Sequence, residues 1–234
     1  MVREIVLDTE TTGIDPLDGH RIIEIGCVEL MNHVPTGKTL QLFINPERDV
    51  PPEAVAVHGI IEEFLKDKPV FSQTYTEFMD FLNGDTLVIH NAELDMKFIN
   101  WELKQVGHKP YDNNKVIDTL KMARKKFPGS PASLDALCRR FGIDNTERTY
   151  HGALLDSELL AEVYLELLGG RQHGFSLSSE VKSQQDLQMG NIVSVERPYR
   201  EPRAHAPSKE ELENHAAMLE KLNDPLWLKS EKKG

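Results

Sequence analysis

Two cysteines in 234 residues are too few for a disulfide-stapled scaffold. Both, Cys27 and Cys138, sit inside apolar periodic segments, so they read as reduced core residues rather than as a bridge or a metal pair. No apolar run approaches the length that crosses a bilayer, and the N-terminus enters a strand pattern at once, so neither a membrane span nor a signal peptide is expected. The expected location is the cytoplasm. Positive charge is in short supply: 27 Lys and Arg stand against 38 Asp and Glu, a net charge of −11. That balance excludes a protein that coats nucleic acid through a broad basic face. It leaves room for an enzyme that grips a few nucleotides through bound metal ions.

What the chain does have is 39% hydrophobic and 28% charged residues, the mixture of a soluble globular protein with a polar section. Its length suits one sizeable domain with an appendage, or two small domains. Residues 2–10, 21–31 and 38–45 are rich in β-branched side chains and separated by Gly, Pro and Asp, which predicts three successive strands. The chain from there to about residue 73 reads as loop. "TYTEFMDFLNG" predicts a helix with Thr74 and Glu77 as its capping box and Gly84 as its stop. A strand over 86–90, a helix from about Ala92 to Val106, a short strand over 115–119 and helices near 119–126, 133–141 and 152–168 follow. The order predicts an α/β fold, a mixed five-stranded sheet with helices on both faces. After Gly169 and Gly170 the composition turns to Ser, Gln, Glu, Arg and Pro through residue 207, the signature of a flexible linker. Residues 208–234 then regain a helical stripe (Leu212, Ala216, Leu219, Leu222) behind a Ser208/Glu211 capping box. One amphipathic helix cannot bury itself, so this segment is expected to dock on a partner.

The acids carry the chemistry. In the first strand Val6, Asp8 and Glu10 share one face, while Ile5 and Leu7 point to the other. Asp95 precedes Phe98 and Ile99 by three and four residues, which puts its carboxylate on the inward stripe of its helix; Asp156 repeats the pattern with Leu159, Leu160, Val163 and Leu167. Unpaired buried carboxylates cost several kcal/mol. No Lys or Arg lies nearby on those stripes, and only a distant part of the chain is left to supply one. Metal is the economical alternative: two divalent ions roughly 3.5–4 Å apart are the recurring arrangement for phosphodiester cleavage, and hard oxygen ligands select Mg²⁺ or Mn²⁺. His151, on the loop before the last of these helices, is the candidate general base.

"DTETTG" (8–13), "HNAELD" (90–95) and "HGALLD" (151–156), in that order, resemble the three exonuclease motifs of the DEDDh family. The resemblance covers about residues 3–170. It implies a ribonuclease H-like fold and 3′→5′ hydrolysis of single-stranded ends with release of nucleoside monophosphates. Asp8, Glu10, Asp95 and Asp156 would bind the two divalent cations, and His151 would be the base. "PEAVAVHGI" (52–60) and "SLDALCRRFGIDNTERTYHGALLD" (133–156) are similar to the epsilon branch, the proofreading subunits of bacterial DNA polymerase III. On that resemblance Glu53 and His58, with Asp8, Glu10 and Asp156, would meet the terminal nucleotide. One departure is Leu94, where the family more often has Phe, which removes a ring from any base-stacking role. "QHGFSL" (172–177) is similar to a sliding-clamp-binding hexapeptide anchored by Gln172, Phe175 and Leu177. Leu219, Leu222, Leu226 and Trp227 would meet the polymerase catalytic (alpha) subunit. The implied partners are therefore that subunit, the clamp and a frayed or single-stranded 3′ DNA end; a small further core subunit is left open. Two alternatives stand beside this: a free-standing DEDDh nuclease that trims RNA or short oligonucleotides, and a non-catalytic scaffold that links polymerase and clamp.

Overall fold

The computed structural model describes residues 2–146, 148–170 and 206–221. The described residues divide into two units, one ending by residue 170 and the other made of residues 206–221. In the first, five strands form one sheet in the order β3-β2-β1-β4-β5. They are β1 (Arg3–Thr11), β2 (Ile22–Met31), β3 (Val34–Phe43), β4 (Thr86–Ile89) and β5 (Val116–Asp118). β1 runs antiparallel to β2, which runs antiparallel to β3; β4 lies parallel to β1, and β5 parallel to β4.

β1 is central because it is apolar on both sides. Ile5 and Leu7 enter a core built with α3 (Phe71–Leu82) and α4 (Glu93–Gln105), through Phe78, Phe98 and Ile99. Val6 enters the opposite core, built with α5 (Thr119–Lys126), α6 (Leu134–Phe141) and α7 (Ala153–Leu168), through Leu137, Leu160 and Val163. The mixed sheet with helices on both faces is thus the expected one. Cys27 and Cys138 are free and buried, one in each core.

Three local expectations are corrected. β3 begins at Val34 rather than Lys38, because Asn32 and His33 both adopt positive φ (50° and 68°), the geometry of a two-residue hairpin turn. Pro35 and Gly37, which read as turn residues, lie within this exposed edge strand, where proline is tolerated. α3 starts at Phe71, so Thr74 is buried inside the helix and donates to the Phe71 carbonyl; the N-terminal contact is instead Gln73 Oε1 accepting the Val70 N–H at 3.2 Å. The stretch read as loop holds α1 (Pro52–His58) and α2 (Glu62–Leu65). α1 carries its own signals, Pro52 in its first turn and Gly59 at φ 72° as its C-cap.

In the second unit the Ser208/Glu211 capping box forms as expected and opens α8 (Lys209–Leu219). Leu212 is exposed and Leu219 half-buried. Gln172, Phe175, Leu177, Leu222, Leu226 and Trp227 lie outside the described residues.

Candidate active site

The C-terminal end of β1 is where the elements converge. Asp8 and Glu10 project to the α7 side, the side of Val6. Across the ladder, β2 places Gly26 opposite Asp8 and Glu24 opposite Glu10. A Cβ on Gly26 would lie 2.2 Å from the Ala153 carbonyl carbon and the Leu154 nitrogen, so only glycine lets the first turn of α7 press against the strand. Two bonds hold it there: Ser157 Oγ donates to the Gly26 carbonyl at 3.0 Å, and the Ala153 N–H donates to Glu24 Oε2 at 3.2 Å. Asp156, in that first turn, is thereby carried to the acids of β1. On the other side, β4 ends beside β1 and the chain turns through Asn91 (φ 65°) into α4. Asp95 Oδ1 accepts from the Thr9 N–H (3.0 Å) and the Thr9 hydroxyl (2.8 Å). Asp95 and Asp156 both sit in the first turn of their helices, where the backbone dipole favours an anion.

All five predicted catalytic residues, Asp8, Glu10, Asp95, His151 and Asp156, line one cavity of about 860 Å³, together with Glu53 and His58. Ligand atoms of Glu10, His151 and Asp156 lie within 4.8 Å of one another. The electrostatics are those of crowded anions. Burial, then the charges of Asp95, Glu10 and Asp156, hold the Asp8 carboxyl well above the usual range. Glu10 is pushed up to about 8 by burial and then by Asp156, Glu24 and Asp95. Burial raises Asp95 to about 6 against the two Thr9 bonds. Hard carboxylate oxygens and one imidazole, short of positive charge, suit a divalent cation.

The possibility left open for a basic residue is realised here, from the loop just before α7 rather than from a distant part of the chain. Arg148 Nε and Nη2 donate to Asp156 Oδ1 (2.6 Å) and Oδ2 (2.7 Å), while Nη1 donates to Asp135 Oδ1 at 2.9 Å. The side chains of Arg148 and Asp156 are only 7% and 5% exposed. Arg148 lies in the loop before α7, off every helical stripe, so periodicity carries no trace of it. Glu24 and Gly26 were missed as well, though a glycine inside a strand pattern is itself a sign of close backbone approach.

His151 precedes the Gly152 N-cap of α7, half-exposed, with its backbone N–H donated to the Val57 carbonyl at 3.1 Å. Its Nδ1 lies 3.6 Å from Asp156 Oδ2 and 3.0 Å from Arg148 Nη2. Arginine can only donate, so Nδ1 is the accepting nitrogen. Buried His58 accepts the Ile60 N–H on Nδ1 at 3.0 Å; the neutral ring then carries its proton on Nε2, which has no partner and is buried. Burial, then the neighbouring His151, lowers the His58 pKa, which keeps that ring neutral. His90, in the same cavity, is held through Nδ1 by the Thr119 hydroxyl at 2.9 Å. Glu53 is exposed in the first turn of α1, and Leu94 is 36% exposed at the cavity wall.

The model of the exonuclease family (RNase_T) matches residues 5–164. The chain is 49% identical over 224 residues to the DNA polymerase III subunit epsilon of Rickettsia typhi, covering 94% of this chain and 97% of that protein. It is 46% identical over 227 residues to the subunit of the same name in Escherichia coli strain K12, covering 94% and 93%. The chain belongs to the exonuclease family, among its DNA polymerase III epsilon subunits. It is a 3′→5′ exonuclease, a phosphodiester hydrolase. Solved folds agree: the nuclease domain of 3′hExo, a DEDDh family member bound to rAMP, aligns with a TM-score of 0.61 at 23% identity over 71% of this chain and 91% of that one. Exonuclease X in complex with 5′ overhanging duplex DNA aligns with 0.55 at 24% identity over 70% and 90%. Family membership implies divalent metal ions, and the acid cluster fits them. Among the described residues no helix is long and apolar enough to cross a membrane.

Proposed function

We propose that this chain removes mismatched nucleotides from the 3′ end of a growing DNA strand, as the cytoplasmic proofreading subunit of a replicative polymerase, with Mg²⁺ or Mn²⁺ as its metal. The observation that carries the reading is the convergence of Glu10, His151 and Asp156 within 4.8 Å in a cavity that also holds Asp8 and Asp95. In this reading Asp8, Glu10, Asp95 and Asp156 hold two ions. Bound there, the ions would supply an activated water and a counter-charge for the leaving 3′-oxygen. His151 Nδ1, which faces Asp156, is the atom that would accept the proton of an attacking water. Glu53 and the free Nε2–H of His58 meet the terminal nucleotide, and Ile14, Val57 and Leu94, exposed at the cavity wall, present apolar surface to its base. The net charge of −11 weakens the pull on a paired end, so a frayed end enters more readily.

The remaining organisation belongs to the same proposal. Residues 171–207 act as a linker carrying the clamp-binding anchors Gln172, Phe175 and Leu177. Residues 208–234 bind the polymerase catalytic subunit through Leu219, Leu222, Leu226 and Trp227. The experiment is hydrolysis of matched and mismatched DNA primers, beside RNA of the same sequence, by the chain and by the Asp8→Ala/Glu10→Ala double variant. Mismatched DNA is expected to be cut fastest, and the double variant to be inactive while keeping its circular dichroism spectrum. Preference for RNA would favour the oligonucleotide-trimming alternative, and undiminished cleavage by the double variant would refute the site.

A further inference from the structure

Asp156 has two oxygens, and Arg148 binds both, at 2.6 and 2.7 Å. The same guanidinium reaches His151 Nδ1 at 3.0 Å. The two groups that this fork occupies are therefore two of the three whose ligand atoms converge in the acid cluster. Arg148 has a second hold outside the cluster: Nη1 bonds Asp135 at 2.9 Å, on the partly exposed first turn of α6. A guanidinium has five donors in a rigid plane. It can give up the bonds made by Nε and Nη2 while keeping the one made by Nη1.

We propose that Arg148 is a positioning residue, an exchangeable counter-cation that competes with the divalent ion for Asp156. It keeps Asp156 and His151 paired and aligned until an ion takes the carboxylate. It then falls back on Asp135, which also uncovers His151 Nδ1 for a water. The physical ground is that guanidinium and metal seek the same anion and repel each other, so one cluster cannot hold both at full strength. Release is local, because Arg148 sits on the loop before α7 rather than on the helix that carries Asp156. The inference rests on the proposed role of Asp156 as a metal ligand.

The test is isothermal titration of the full chain with Mn²⁺ at one fixed pH, using Arg148→Gln and Arg148→Lys. Arg148→Gln removes the competitor and is expected to bind Mn²⁺ about tenfold more tightly, the equivalent of one charge-assisted pair. The Mn²⁺ concentration giving half-maximal hydrolysis should fall in parallel. Arg148→Lys keeps the charge without the fork, so its gain should be smaller but in the same direction. Were Arg148 only a brace for the loop, its loss would leave metal affinity unchanged or weaken it. Either of those results, with an unaltered circular dichroism spectrum, overturns the proposal, and Arg148→Lys decides by the same criterion if Arg148→Gln does not fold. Absence of Mn²⁺ binding by the unaltered chain would instead overturn the underlying metal site.

Discussion

Replacing Glu10 by Gln should make the metal-free protein more stable while destroying its activity. Glu10 is buried beside Asp156, Glu24 and Asp95, and its carboxyl, ordinarily near 4.5, is pushed up to about 8. A folded-state pKa above the unfolded one means that the native protein holds this proton more tightly. Stability is then full below about pH 4.5 and is lost as the pH rises towards 8. Each pH unit in that window costs about 1.4 kcal/mol, so the penalty from this one group reaches roughly 3 kcal/mol by pH 7. Asp8 is shifted the same way for the same reasons. The glutamine keeps the shape and removes the charge, so it should remove the share of the slope that Glu10 contributes and leave that of Asp8 and Asp95. The assay is urea unfolding of the full chain with a chelator present, from about pH 5 to about pH 9. The unaltered chain should weaken steadily across the range and recover when Mg²⁺ or Mn²⁺ is restored; Glu10→Gln should weaken less steeply, keeping the slope that Asp8 and Asp95 contribute, and recover less. If Glu10→Gln were no more stable than the unaltered chain at about pH 8 with chelator, the picture of mutually repelling, cation-starved acids would be wrong.

Two other substitutions probe how the site is held. Gly26→Ala forces a Cβ to 2.2 Å from the α7 backbone; the overpacking should cost about 1–3 kcal/mol and displace Asp156 and His151 together. Urea unfolding and hydrolysis should both record a loss, and normal activity would show that α7 does not need this contact. Arg21 forks onto buried Glu102 at 2.6 and 2.8 Å, joining the start of β2 to α4. Arg21→Ala leaves that carboxylate unpaired and should lower the unfolding free energy by about 3–5 kcal/mol. Thermal denaturation would expose a smaller role if the midpoint did not move.

The elements that carry the site were readable in the sequence because local chemistry dictates them. β1 is central because Ile5, Val6 and Leu7 are apolar on both faces. Asp95 and Asp156 point inward because each precedes a helical stripe by three and four residues. His151 falls outside α7 because Gly152 stands between it and the helix. α1 was missed although Pro52 and Gly59 mark its ends, since its seven residues leave almost no room for a periodic pattern to show.

By itself, then, the order of residues determined the strands, the inward acids and the chemistry they point to, all of which depend on neighbours a few positions away. Only the tertiary structure decided how those acids are balanced. Gly26 and Glu24 act on α7 from a strand some 130 positions distant in the chain, and Arg148 reaches Asp156 through a bend in a loop. Burial, repulsion and pairing are set by distances in space, and the fold brings together charges that the sequence keeps apart.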